Sequence, residues 1–124
     1  MMPRLKTLFA ALAMTGSAFG WAPAALAHAF PEREEPAVGS VVHEAPQRVR
    51  IWFDSRIERE FSVIVVKDEN GNQVSGKTAI DPKSFQLLEA DLPPLAPGTY
   101  RVYWAVVSWD GHRTKGDYTF TVGP

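Results

Sequence analysis

The chain has 124 residues, no cysteine and a formal net charge of −1. That length suits one domain, and the missing basic excess argues against a nucleic-acid partner. The lack of cysteine excludes disulfides, thiolate metal sites and thiol catalysis, so any bound metal must be held by nitrogen and oxygen.

Residues 1–27 read as an export signal outside the fold. Arg4 and Lys6 form a positive start, residues 5–22 are mostly apolar with no charge after Lys6, and Ala25-Leu26-Ala27 supplies small residues where a signal peptidase reads. Cleavage after Ala27 is expected, leaving a domain of residues 28–124. A retained membrane anchor is the alternative; Thr15, Gly16, Ser17 and Gly20 break the apolar run that an anchor needs. Without Arg4 and Lys6 the rest carries 11 Lys/Arg against 14 Asp/Glu, a net charge of −3, and all three methionines (Met1, Met2 and Met14) leave with the signal.

After His28, residues 29–37 are polar and acidic. Pro31 and Pro36 make a helix unfavourable, which leaves an extended arm or a first edge strand. Residues 38–42 are a short strand candidate broken by Gly39. Val49, Ile51 and Phe53 alternate with Arg48, Arg50 and Trp52, the period of a half-buried strand. Residues 54–60 are charged and irregular, and 61–67 are rich in valine and isoleucine. Asn70-Gly71 is expected to form a type I′ hairpin turn, because both residues tolerate positive φ. Residues 73–80 would then return beside 61–67. Asp81-Pro82-Lys83 turns the chain into a strand over 84–90.

The prolines of 92–98 rule out a ladder interior and mark a crossover. The strand that follows places Tyr100, Val102, Trp104 and Val106 on one face. Tyr100 is either an ordinary core residue or a tyrosine corner tying down the crossover. Past Asp110-Gly111, Tyr118, Phe120 and Val122 again share a face. About seven short strands with frequent turns and no helix predict a β-sandwich.

Three residues carry candidate chemistry. Cleavage after Ala27 would give His28 a free α-amine, which with its own Nδ1 closes a six-membered chelate. Two nitrogen donors suit Cu(II), Ni(II) and Zn(II), with copper favoured by intrinsic affinity. Alternatively His28 is an incidental residue at a frayed end. Asp110 and His112, one residue apart at a turn, would share a face if locally extended and could form half a metal site, or they are solvated flanks of a hairpin. His43, beside Glu44, reads as a surface residue. Trp104 suits the core, and Trp109 would be the better shield for the site. Ser108, Asp110 and His112 lie within one turn, too local for a catalytic triad, and neither a phosphate loop nor an HExxH motif occurs.

The chain resembles the CopC family of periplasmic copper-resistance and copper-handling proteins. The likeness rests on His28, Pro36, Gly39, Pro46, Val49 and Ile51-Trp52-Phe53 at the front. At the back it rests on Pro97-Gly98-Thr99-Tyr100, Trp104, Ser108, Asp110-Gly111-His112, Gly116 and Phe120. It implies an all-β, immunoglobulin-like Greek-key β-sandwich in the periplasm. It also implies Cu(II) bound by His28, through amine and imidazole, and by Asp110 and His112. In some members another carboxylate follows the early strand; that position is Ser55 here, beside Asp54, so water would complete the site. The methionine-rich Cu(I) loop of some members has no counterpart after Met14. The family role implies a periplasmic or inner-membrane copper-transport partner. The expectation is therefore a non-enzymatic copper protein. The alternatives are a small histidine-brace copper redox enzyme and a metal-free β-sandwich interaction module.

Overall fold

The stretches with period-two alternation become the strands of two packed sheets. The computed structural model describes residues 28–124, with Gly16 and Gly20; the export signal read over 1–27 otherwise lies outside the described residues. The strands are β1 (Pro31–Glu35), β2 (Val41–Val42), β3 (Arg48–Phe53), β4 (Val63–Lys67), β5 (Thr78–Asp81), β6 (Ser84–Asp91), β7 (Gly98–Val107) and β8 (Arg113–Val122). They form two four-stranded sheets in the orders β1-β3-β6-β5 and β2-β8-β7-β4. Every pairing is antiparallel except that of β2, which runs parallel to the end of β8. This is the expected immunoglobulin-like sandwich, with eight strands rather than seven. The acidic arm supplies a full edge strand: Pro31 opens it and Pro36 follows it, so neither proline removes a donor from the strand's middle.

The core is the sum of the inward faces. Val49, Ile51 and Phe53 of β3 meet Tyr100, Val102, Trp104 and Val106 of β7 and Tyr118, Phe120 and Val122 of β8 in one buried cluster. Trp52 faces the other way, as the alternation requires, and the Arg33 guanidinium lies 4.7 Å from its ring centre. Tyr100 is a tyrosine corner: its hydroxyl donates to the Ala96 carbonyl at 2.6 Å, fixing the proline crossover to the start of β7. Gly116 faces Trp104 across the β7–β8 pair. A Cβ there would lie 2.5 Å from Trp104 Cζ2, so the indole occupies the space a side chain would need.

Two local expectations fail, for identifiable reasons. The turn after β4 is not type I′, because Gly71 has positive φ and Asn70 does not. The Gly71 amide donates to the Asp68 carbonyl, and the Asp68 amide donates to the Asn72 carbonyl, which makes a three-residue loop. Asp68 Oδ1 accepts from the amides of Asn70 and Asn72, both at 2.9 Å, and this favours the wider loop. Nor does 73–80 form a regular strand along β4. Lys67 and Gln73 form a bridge and the Val74 amide donates to the Val66 carbonyl at 2.8 Å, but the chain then builds β5 in the opposite sheet. Side-chain hydroxyls replace the missing ladder: Ser75 Oγ accepts from the Val66 amide at 2.9 Å and Thr78 Oγ1 from the Ile64 amide at 3.1 Å.

Candidate metal centre

The turn between β7 and β8 repeats the construction after β4. Ser108 donates its amide to the His112 carbonyl, and Gly111 donates to the Ser108 carbonyl. Gly111 has φ +88°, a conformation that favours glycine and closes the loop without strain. Asp110 therefore sits inside a tight loop, the hairpin turn expected at Asp110-Gly111, and not on the extended segment that was the other alternative. The loop still brings Asp110 and His112 together, with Asp110 Oδ2 3.0 Å from His112 Nδ1. Ser108, fully buried and bridged to Ile57, donates its hydroxyl to Asp110 Oδ1.

That hydroxyl is the main cause holding the Asp110 carboxyl below the ordinary aspartate range; burial opposes it, and the His112 side chain and amide add to the lowering. The lowered pKa has a definite consequence. The stability linked to Asp110 ionisation is fully present above the unfolded aspartate value, about 3.9, and is lost as pH falls through the lower native value. Ser108→Ala should move the Asp110 titration upward, read by carboxyl carbon NMR of the metal-free protein. An unmoved titration would remove Ser108 as the cause.

His28 joins this pair from the far end of the sequence. Its ring centre lies 4.9 Å from that of His112, edge to face, and 6.0 Å from that of Phe30. Its neighbours are anchored. Ala29 is fully buried, and its carbonyl accepts the Thr114 hydroxyl at 2.6 Å. Phe30 donates its amide to Asp54 Oδ1 at 2.8 Å, and the Asp54 amide donates back to the Phe30 carbonyl at 2.9 Å. The Asp110 side chain is 22% exposed and that of His112 45%.

His28, Asp110 and His112 are thus brought to one end of the sandwich. Among the described residues, however, no group of three or more His, Asp or Glu side chains is arranged to hold a metal ion. Asp110 and His112 face each other, and His28 lies edge-on to His112. The donors available there, two imidazoles and one carboxylate, are chemically suited to Cu(II) or Zn(II).

The remaining candidates fall elsewhere. His43 is exposed and packs on Gly123, beyond the distal end of β8. Trp109 is 60% exposed, too open to shield the pair. Ser55, where the resemblance places another carboxylate, has a buried Oγ without a hydrogen-bond partner. The anchoring roles of Thr114 and Asp54 carry no motif in the sequence. Thr114 lies two residues past His112, and that spacing is the one local sign that it shares the site's face.

Known proteins share this architecture. The CopC domain model matches residues 32–123. Protein YobA of Escherichia coli K12 is 39% identical over 103 residues, which cover 81% of this chain and 82% of YobA. The crystal structure of CopC from Methylosinus trichosporium OB3b superposes with a TM-score of 0.75 at 33% identity, covering 78% of this chain and 95% of that one. PcoC, a methionine-rich copper-resistance protein from Escherichia coli, superposes with a TM-score of 0.69 at 30% identity, covering 77% of this chain and 99% of its own. With a domain model spanning β1 to β8 and near-complete coverage of solved structures above one-quarter identity, the chain belongs to the CopC family.

Proposed function

We propose that this chain is a periplasmic Cu(II)-binding protein serving copper resistance, storage or delivery. In this reading residues 1–27 are removed after Ala27. The α-amine and Nδ1 of His28 then bind Cu(II) together with Asp110 and His112, and water fills the position near Ser55. The observation that carries the reading is the contact between the His28 and His112 rings, beside the Asp110–His112 pair.

The oxidation state follows from the donors. Residues 28–124 contain neither cysteine nor methionine, and soft sulfur ligands are what select Cu(I). The likeness to methionine-rich PcoC therefore does not extend to a thioether site. A carboxylate ligand also favours Cu(II) and lowers its reduction potential, which suits a carrier better than an oxygen-activating enzyme. Delivery to a periplasmic or inner-membrane copper-transport partner completes the role.

Competition titration of residues 28–124 with chromophoric chelators, in both redox states, tests the reading. One Cu(II) should bind tightly and Cu(I) weakly, and His112→Ala or Asp110→Ala should weaken Cu(II) binding, whereas His43→Ala should leave it unchanged. Stronger retention of Cu(I) than of Cu(II) would overturn the assignment.

A further inference from the structure

The chelate proposed above joins two parts of the chain that have no covalent reason to be in register. His28 is a terminal residue in that reading, and a terminal residue without tertiary support frays. The site then depends on what holds residues 29 and 30. Two side chains do so, from two different sheets. Thr114, on β8, donates its hydroxyl to the Ala29 carbonyl at 2.6 Å. Asp54, just past β3, accepts the Phe30 amide on Oδ1 at 2.8 Å and returns its own amide to the Phe30 carbonyl at 2.9 Å. Between these bonds the Ala29 methyl is fully buried in the core cluster.

The two contacts sit in a useful order. Thr114 is two residues beyond His112, and Ala29 is one residue beyond His28, so the Thr114–Ala29 bond and the His112–His28 ring contact are successive links between the same two segments. A slip of the arm by one residue would break the Thr114 bond, bring Phe30 away from Asp54 and carry His28 off His112.

We propose that Asp54 and Thr114 are positioning residues for copper: they set the register of the N-terminal arm so that His28 arrives preassembled against His112. This inference rests on the copper reading of the preceding section. It assigns Asp54 a role distinct from that of a ligand: Oδ1 accepts the Phe30 amide and so fixes the arm. Organising donors before the metal arrives lowers the entropy cost of closing the site.

The test separates a positioning carboxylate from a coordinating one. Asp54→Asn keeps an oxygen acceptor and removes the charge; Asp54→Ala removes both. Thr114→Ser keeps the hydroxyl; Thr114→Val removes it at similar volume. These variants of residues 28–124, which contain all eight strands and the core, would be titrated with Cu(II). Asp54→Ala and Thr114→Val should each weaken binding about tenfold and raise the dissociation rate, while Asp54→Asn and Thr114→Ser should stay within about threefold of the parent. The nitrogen hyperfine pattern in spin resonance should be the same in all five proteins, since the ligands do not change. Equal losses for Asp54→Asn and Asp54→Ala, with an altered spectrum, would make Asp54 a ligand and overturn the proposal.

A second readout needs no copper. In the metal-free protein, hydrogen exchange at the Phe30 amide should accelerate in Asp54→Ala and Thr114→Val but not in the two conservative variants, with exchange in β7 unchanged. An unaltered Phe30 rate would overturn the clamp. A parent protein that binds no copper, while the two disruptive variants show the accelerated exchange, would overturn the copper reading and with it the clamp's purpose. Copper binding weakened by His112→Ala but not by Thr114→Val would sink the clamp alone.

Discussion

Protein beginning at His28 should bind Cu(II) about a hundredfold more tightly than the same protein extended by a single glycine at its N-terminus. The added residue converts the α-amine of His28 into an amide, whose nitrogen lone pair is delocalised and not free to coordinate at neutral pH. One arm of the six-membered chelate is lost while His28, Asp110 and His112 keep their side chains. Loss of that arm on the scale of about 3 kcal/mol corresponds to about a hundredfold in affinity. The measurement is a Cu(II) competition titration of both forms, with spin-resonance spectra that count nitrogen couplings. Equal affinity with identical coupling would take the amine out of the site and leave Asp110 and His112 as a pair. Mass spectrometry of exported protein is the companion experiment: a mature N-terminus at any residue other than His28 would defeat the same mechanism in the cell.

The largest stability effects should come from the contact between Trp104 and Gly116, and they should fail to add. Trp104→Ala removes a large indole from the core and should cost about 3–5 kcal/mol. Gly116→Ala puts a methyl where the Cβ would sit 2.5 Å from the indole, so the ring or the β7–β8 pairing must shift, at a cost of about 1–3 kcal/mol. In the Trp104→Ala background that obstacle is gone. The same Gly116→Ala change should then be neutral or mildly stabilising, because alanine lowers the conformational entropy of the unfolded chain relative to glycine. A double-mutant cycle by urea denaturation decides it. Additive costs would mean that Gly116 is required by its backbone and not by the indole.

The strands are legible in the sequence because each has a clean inward face. Val49, Ile51 and Phe53 are all buried, as are Tyr100, Val102, Trp104 and Val106. What local pattern does not reveal is which partner an edge will find. Residues 73–80 look able to return along β4, but the Ser75 and Thr78 hydroxyls satisfy the β4 amides and let the chain cross to the other sheet. Asn70-Gly71 misleads because the carboxylate of Asp68, two residues before Asn70, recruits the Asn70 and Asn72 amides into a wider loop.

The candidate site divides along the same line. Asp110-Gly111-His112 is recognisable as a pair within one turn, and its contact is local. Joining it to His28 needs the family resemblance, since no spacing links the two ends of the chain. The roles of Asp54 and Thr114 are hidden in the sequence because their partners are backbone atoms of residues 29 and 30, which come near only once the arm has docked across the sandwich.

The hairpin of β7 and β8 runs the length of the sandwich, and its two ends differ in what they tolerate. The ten residues of β8 begin beside His112 and end at Val122, about 30 Å away at the usual rise per residue. There Gly123 bonds to Val42, and Pro124 is exposed. A purification tag, a fluorescent reporter or a membrane tether attached behind Pro124 would leave the end that carries His28, Asp110 and His112 open to solvent. The same cargo ahead of His28 would cap the amine. On the proposed copper reading, an artificial fusion should therefore place this domain first in the polypeptide, or behind a protease site that cuts directly before His28.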